Sequence, residues 1–469
     1  MAPIRRAGVA TNFGVWASHR VRWRPIRSSR TFIPIAFPDA QGVSMTSRIP
    51  GFFKLTPSQR RAAALSAVGA VERPGAWDGL DLGVADAMIE NVVGIFALPN
   101  GIAVNLLLNG KDRLVPMVVE EPSVVAAVSN MARLTRAAGG IVGECAPSVM
   151  IGQVQVADPA PGAAARLRGA IPALTEIAGA VHPQLPAYGG GFRGMEVREL
   201  RYDEPGETPE DLLVLHFFLD CADAMGANMV NTIAERLMPE VVSITGGRSG
   251  LRILSNLADR RLANASVTIP FALLDERAAG DNPAVPGEHV ARGIAAAWRF
   301  AWADPYRAAT HNKGIMNGID AVALAMGNDW RAIEAGAHAY AARDGQYRPL
   351  STWKVRDGAL HGSIELPMQV GTVGGPIKVH PTVQANHALA QVTGARDLGL
   401  LHTAVGLVQN LGALRALARE GIQQGHMRMH ARTVALAAGA SGEAIGRVAM
   451  ALVERGEFTV EAARQILGR

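Results

Sequence analysis

A lysine and five other polar residues that could do chemistry lie close together in one stretch, among mostly small and apolar neighbours: Arg307, His311, Asn312, Lys313, Asn317 and Asp329. The chain contains only five lysines against 41 arginines. A lysine ammonium differs from a guanidinium as a compact point charge with a tunable pKa, which suits a group beside a reacting oxygen. Lys313 is therefore a candidate catalytic cation, the alternative being a solvated surface lysine.

Glu90 is a single acid among apolar neighbours, in the order Met-Ile-Glu-Asn-Val-Val. Burial in such a setting would raise the pKa of the carboxyl and keep a proton available near neutrality. The competing interpretation is a buried acid that is paired with an arginine.

A second candidate for proton transfer is His426, which lies four residues before His430. That spacing also suits a shared metal, but no glutamate or cysteine accompanies the pair, so a single catalytic imidazole is favoured and no metal site is expected.

Three glycine-rich stretches could approach a ligand. The segment 189–194 formally matches G-x-G-x-x-G, yet it precedes an alternating strand rather than a helix, so we interpret it as the entry to a strand and not as a Rossmann fingerprint. The segment 223–228 lies between a strand and a helix, where free amides suit a pyrophosphate or the turn simply caps the helix. A third glycine-rich turn covers 371–375.

Strands and helices alternate without regular βαβ spacing, which predicts an α+β fold. Apolar periodicity predicts strands at 102–108, 114–119, 151–156, 195–202, 212–219 and 362–370. It predicts helices at 59–68, 124–136, 228–237, 288–303, 318–326, 330–342, 383–389 and 399–420, and a helical block from about 425.

The composition is that of a globular enzyme, with 49% apolar and 19% charged residues and no apolar run long enough to span a membrane. Two cysteines cannot form a disulfide framework, which fits a reducing cytosol.

The sequence pI of about 9.5 suggests nucleic-acid binding, but the positive charge is confined to one segment. Residues 1–44 carry seven arginines and one acid, whereas the net charge of residues 45–469 is −1. We therefore expect residues 1–44 to be a disordered extension or a mis-assigned start before Met45, with an organelle transit peptide as the alternative.

Taken together, the motifs resemble the 3-hydroxy-3-methylglutaryl-coenzyme A (HMG-CoA) reductases of class II, the soluble bacterial type. The resemblance runs in register from about Ser47 to the C-terminus. Class I members carry Asp-Lys-Lys near 254–261, where this chain has no lysine. The matching stretches are 90–94, 118–123, 223–228, 304–320, 327–329, 373–375 and 425–427.

The resemblance implies an enzyme that interconverts HMG-CoA with mevalonate and coenzyme A through two hydride transfers. Four residues match the family's catalytic groups: Lys313 stabilises the oxyanion, Asp329 modulates the lysine and the glutamate, Glu90 exchanges a proton at the aldehyde stage, and His426 protonates the departing thiolate. Two further residues match substrate-binding positions, Arg307 at the free carboxylate and Asn317 within the catalytic cluster.

The cofactor implied is NAD, with NADP as the alternative. The resemblance assigns cofactor binding to Asp223, Ala224, Met225, Gly226, Ala227 and Asn228, with Asp158 as a loosely aligned acid for the ribose hydroxyls. NAD would indicate mevalonate degradation, and NADPH would indicate biosynthesis. A catalytically silent relative that binds CoA esters is the competing hypothesis from another class.

The architecture implied is a homodimer, or a multiple of dimers, with active sites at the subunit interface and no nucleic-acid or membrane partner. A large domain would comprise 45–116 and 256–421. A small non-Rossmann cofactor domain would occupy 117–255, and a mobile C-terminal flap would occupy 422–469.

Overall fold

The computed structural model describes residues 45–276, 284–418 and 422–468, without the side chains of 376 and 422–429. The proposed extension 1–44 lies outside the described residues. The fold is α+β, as the sequence predicts, and each sheet of the described chain is antiparallel. Among the described residues, no helix is long and apolar enough to cross a membrane.

The first part of the described chain is a helical segment followed by a hairpin and one packed helix. Thr56 and Gln59 form a capping box at the first helix, with Pro57 as its first residue. Residues 89–99, between the second helix and the first strand, form no regular element. The elements are α1 (Pro57–Ala67), α2 (Leu82–Met88), β1 (Asn100–Leu108), β2 (Lys111–Val118), α3 (Val124–Ala137) and β3 (Val142–Cys145).

The second part is a four-stranded sheet with strand order β5-β6-β4-β7, covered by three helices. Its elements are β4 (Val149–Ala157), α4 (Ala163–Gly169), α5 (Ile171–Val181), β5 (Gly191–Tyr202), β6 (Glu210–Asp220), α6 (Ala227–Thr245) and β7 (Arg248–Ser255). The glycine-rich segment 189–194 leads into β5, so the rejection of a Rossmann fingerprint is confirmed. The helix α6 extends eight residues beyond the 228–237 expected, through Pro239.

The boundary of this small unit differs from the expected residue 117. Buried residues of α3 and β3, such as Val128 and Cys145, belong to the large hydrophobic core rather than to the core of the small sheet. The strand β3 also pairs with a strand of the large unit. We therefore propose that the small domain begins near Val149.

The rest of the chain builds the large unit around a second sheet of order β3-β8-β10-β9. Its elements are β8 (Leu262–Pro270), α7 (Phe271–Leu274), α8 (Gly287–Ala303), α9 (Pro305–Ala325), α10 (Trp330–Ala341), β9 (Ser351–Arg356), β10 (Ala359–Pro367), α11 (Gly375–Val379), α12 (Pro381–Ala390) and α13 (Ala395–Leu417). Three helices follow: α14 (Ile422–Ala437), α15 (Glu443–Arg455) and α16 (Val460–Leu467). The helix α13 is buried along most of its 23 residues and forms the centre of the core.

The helix α9 carries most of the polar stretch that contains Lys313. It starts at Pro305, 13 residues earlier than the expected residue 318, because Asp304 accepts hydrogen bonds from the amides of Tyr306 and Arg307 and proline suits the first helical position. Gly327, with φ of 68°, ends the turn that follows. A single 21-residue helix thus fixes which side chains face the core and which face outward.

Candidate functional site

Lys313 lies on the outward face of α9 and forms an ion pair with a residue that the sequence analysis did not select. Its Nζ is 3.0 Å from Oε2 of Glu121, and Nδ2 of Asn317, one turn later on α9, donates to the same oxygen at 3.3 Å. Glu121 lies in the loop between β2 and α3. It falls within the stretch 118–123 that carried the family resemblance, but its sequence pattern suggested only a helix start.

His311 and Asn312 belong to the same polar stretch but face the core. Burial, with the nearby Arg307 guanidinium, lowers the pKa of His311 to about 3, so its imidazole is neutral at ordinary pH. His311 Nε2 lies 2.7 Å from Oγ of Ser351, and Asn312 bonds the backbone of Arg348 and Leu350. These contacts hold α9, and therefore Lys313, against the large core.

Arg307 lies six residues before Lys313, or about 9 Å along the helix axis. Its side chain is half-buried, burial lowers its pKa, and it makes no ion pair with any residue that the structure describes. A guanidinium without an internal carboxylate can bind an external one in bidentate fashion.

Asp329 is the N-cap of α10 and lies far from Lys313 within the chain. Its Oδ1 accepts from the amides of Arg331 and Ala332 at 3.1 and 3.2 Å, and the Arg331 guanidinium lies 3.1 Å away. Lys313 lies twelve residues, or about 18 Å, before the C-terminal end of α9. Asp329 lies beyond that end. A lysine side chain cannot cover that distance, so one chain does not bring these two residues together.

Glu90 is exposed in the segment 89–99, and the expectation that its apolar neighbours bury it is wrong for the single chain. Within the described residues it has no ion pair with Lys313 or with an arginine, so its catalytic assignment stays a prediction. Several apolar side chains beside it are exposed too: Ile89, Val93, Ile95 and Phe96. His426 belongs to α14, but its side chain lies outside the described residues.

The loop 223–228 lies where the small sheet meets the large unit. Asp223 Oδ1 accepts a hydrogen bond from the amide of Ala395 at 2.8 Å, so its carboxylate caps the first turn of α13. Gly226 has φ of 103°, and an added Cβ would lie 2.2 Å from Sγ of Cys221, so only glycine fits. The helix α6 then starts at Ala227 with no side-chain cap. Its first amides are available to an anion or a polar ligand, and Asn228 is exposed beside them.

Asp158 follows β4 at the other end of α6, whose 19 residues span about 28 Å. It has φ of 48°, and its Oδ2 accepts from Nε of Arg248 at 2.7 Å and from Nη2 of the same residue. Both side chains are exposed. This span is longer than one extended dinucleotide, so the structure does not bring Asp158 and the loop 223–228 into one cofactor site.

A cleft of about 1840 Å³ adjoins this loop. Met225, Asp329 and the glycine-rich turn at 371–375 border it. Five arginines line its walls, and their charge would attract an anionic ligand: Arg48, Arg60, Arg61, Arg133 and Arg331. Within the described chain, Asp329 and Met225 of the loop 223–228 line the cleft, whereas Lys313 and Glu90 do not.

Comparison with known proteins identifies the family. The family model described as hydroxymethylglutaryl-coenzyme A reductase matches residues 58–431. A 3-hydroxy-3-methylglutaryl-coenzyme A reductase of Archaeoglobus fulgidus is 46% identical over 432 residues, covering 91% of this chain and 95% of that protein. A probable enzyme of the same name from Borreliella burgdorferi is 35% identical over 360 residues, covering 74% of this chain and 77% of that protein.

Solved structures give the same result. The 3-hydroxy-3-methylglutaryl-coenzyme A reductase of Streptococcus pneumoniae superposes with a TM-score of 0.73 at 40% identity, covering 89% of this chain and 99% of that one. A structure of the class II enzyme from that organism, bound to NADPH in open conformations, gives 0.72 at 40% identity and covers 88% and 99%. The chain therefore belongs to the hydroxymethylglutaryl-coenzyme A reductase family, in its class II branch.

Proposed function

We propose that this chain interconverts HMG-CoA with mevalonate and coenzyme A at a site whose positive centre is Lys313. The observation that carries the proposal is the Lys313–Glu121 ion pair with its Asn317 contact. The pair holds the Lys313 ammonium in one direction on the outward face of α9, and the lysine side chain is 62% exposed. An oriented, accessible ammonium can stabilise a developing oxyanion.

Lys313 would act at both reductive steps. When a thioester or aldehyde carbon becomes tetrahedral, its oxygen gains negative charge, and the ammonium donates a hydrogen bond to that oxygen. Glu121, whose carboxylate also accepts from Asn317, orients the ammonium from one side and leaves its other N–H bonds free. Arg307, about 9 Å away along α9, would bind the free carboxylate of the substrate and hold the reacting carbon near Lys313.

Three other groups would transfer protons or adjust charge in the proposed mechanism. Glu90 gives a proton to the alkoxide in the reductive direction and takes it back in the oxidative one. Asp329, supplied by a second copy of the chain, would lie beside Lys313 and Glu90 and adjust the charge of both. His426 delivers a proton to the sulfur of the departing coenzyme A thiolate, so that the thiol rather than the thiolate is released.

The proposed site requires two copies of the chain, because α9 keeps Lys313 and Asp329 apart within one copy. The exposed apolar segment 89–99 supports the same conclusion. It is an apolar surface beside the proposed catalytic Glu90, and such surfaces commonly mark protein interfaces. We therefore propose a symmetric dimer in which one subunit supplies Lys313 and the other supplies Asp329.

The loop 223–228 fits a nicotinamide dinucleotide. Gly226 lets the backbone approach a ligand closely, and the uncapped start of α6 presents free amides. The cofactor supplies the hydride when bound. The chain's own contribution is to place it: the loop 223–228 would hold one end of the dinucleotide beside the cleft.

We propose NAD as the cofactor and mevalonate oxidation as the physiological direction, because the sequence resembles the class II enzymes that degrade mevalonate. The class II structure of Streptococcus pneumoniae, bound to NADPH, supports the alternative, NADP. Steady-state kinetics with NADH and with NADPH decides between them. A kcat/KM that is at least tenfold higher with NADPH would overturn the choice of NAD.

Steady-state kinetics tests the function itself. Purified protein should oxidise mevalonate in the presence of coenzyme A and reduce NAD or NADP, which is followed by the absorbance of the reduced nicotinamide. Lys313→Ala should lower kcat at least 100-fold, corresponding to about 3 kcal/mol of lost oxyanion stabilisation. The matched control, Lys354→Ala, removes an exposed lysine from β9 and should leave kcat unchanged. A Lys313→Ala enzyme that keeps a tenth of the wild-type rate would contradict the proposed role.

A further inference from the structure

Arg261 directly precedes β8, and only 1% of its surface is exposed. It makes no ion pair within 4 Å among the described residues, although Asp220 and Asp223 are near enough to influence it. Burying a charge costs several kcal/mol unless hydrogen bonds replace the lost water. The contacts that replace it therefore indicate what Arg261 does.

Three backbone carbonyls from two separate segments surround the guanidinium. Nη1 donates to the carbonyls of Ala224 and Met225 in the loop 223–228, both at 3.3 Å. Nη2 donates to the carbonyl of Val370, immediately before the glycine-rich turn 371–375. The planar fork of a guanidinium can join two chain segments in this way, whereas a lysine ammonium lacks that geometry.

The two segments are packed backbone against backbone at this point. The amide of Thr372 donates to the carbonyl of Asp223 at 2.9 Å, and a Cβ added to Gly371 would lie 2.6 Å from the amide nitrogen of Met225. The amide of Gly371 also donates to Oδ1 of Asn328 at 2.7 Å. Because Asn328 precedes Asp329, Arg261 is connected through two backbone segments to the position of a proposed catalytic residue.

We propose that Arg261 is a positioning residue that sets where the nicotinamide cofactor lies relative to Asp329. It does not touch the cofactor. It fixes the loop 223–228 to the turn that carries Gly371, and both segments border the cleft. This inference rests on the proposed function, because it assumes that the loop 223–228 binds the cofactor.

The test compares Arg261→Lys with wild type and with Arg260→Met as a matched control. Arg260 is the neighbouring arginine, half-exposed over the ring of Phe218 at 3.8 Å. The probe is NADH or NADPH, whichever the wild type turns over, and its Kd is measured by nicotinamide fluorescence alongside the KM for HMG-CoA. We expect Arg261→Lys to raise the cofactor Kd about tenfold (about 1.4 kcal/mol) and to leave the KM for HMG-CoA within threefold. Arg260→Met should change neither value.

An Arg261→Lys protein whose cofactor Kd rises less than threefold, or whose KM for HMG-CoA rises as much as the Kd, overturns the positioning role. Wild-type protein that turns over neither cofactor refutes the proposed function instead, so the two failures are separable. Gly371→Ala decides the matter if Arg261→Lys does not fold, since it separates the same segments without changing the arginine. It should also raise the cofactor Kd selectively, and an unchanged Kd there overturns the inference.

Discussion

Replacing Asp320 with asparagine should stabilise the protein at neutral pH. Asp320 on α9 faces Glu334 on α10, two carboxyl groups in a largely buried place. Burial, the charge of Glu334 and a hydrogen bond to it raise the pKa of Asp320 from 3.8 to about 8. The folded protein therefore keeps a proton at pH 7 that the unfolded chain has lost.

The sign of the effect follows from that difference. The stability contribution of Asp320 is fully present below pH 3.8 and is lost progressively as pH rises to about 8. Each pH unit in this window lowers the free energy of unfolding by about 1.4 kcal/mol, so the cost at pH 7 is at most about 4 kcal/mol. The amide introduced by Asp320→Asn would stay neutral at every pH and could still donate to Glu334, which removes the cost.

Urea denaturation followed by tryptophan fluorescence at pH 5, 7 and 8.5 measures the difference. Asp320→Asn should be more stable than wild type by up to about 4 kcal/mol at pH 7, with a smaller gain at pH 5. Asp344→Asn, at an exposed aspartate, is the control and should stay within about 0.5 kcal/mol of wild type. Equal stabilities of Asp320→Asn and wild type at pH 5 and 8.5 would refute the shared-proton reasoning.

Three further predictions concern the site. Glu121→Gln removes the charge that orients Lys313, so kcat should fall at least tenfold while the cofactor Kd measured by nicotinamide fluorescence stays constant; an unchanged kcat would show that the ion pair has no catalytic part. Arg307→Met should raise the KM for mevalonate about tenfold or more, since a charge-assisted hydrogen bond contributes roughly 1.5–3 kcal/mol, and a KM within twofold would exclude carboxylate binding there. Gly226→Ala places a Cβ 2.2 Å from Sγ of Cys221 at φ of 103°, so thermal denaturation should show a loss of roughly 1–3 kcal/mol. Cys221→Ala in the same chain should restore part of that stability, and no recovery would argue that backbone strain alone is responsible.

Local signals in the sequence predicted much of the fold. The Thr56-Pro57 pair marked a helix start because capping and proline geometry act within a few residues, and the structure has α1 there. The strand β4 was predicted because buried and more exposed residues alternate over its second half. The helices α4 and α5 were not predicted, and α9 was expected to begin later than it does.

Long-range contacts were harder to predict. Lys313 was selected from its stretch, but its partner Glu121 is 192 positions away and no local pattern links them. Glu90 has apolar neighbours, which normally indicates burial, yet in this chain those neighbours face outward. His311 is polar and was grouped with Lys313, but helical periodicity turns it towards the core.

The length of α9 has a genetic consequence. In the proposed two-copy site, a chain with Lys313→Ala and a chain with Asp329→Ala are each inactive alone, but a mixed dimer combines both defects in one site and leaves the other intact. Random pairing of the two chains should restore roughly a quarter of the wild-type activity, because half of the dimers are mixed and each has one working site. Two null alleles of this kind would therefore complement each other in a cell.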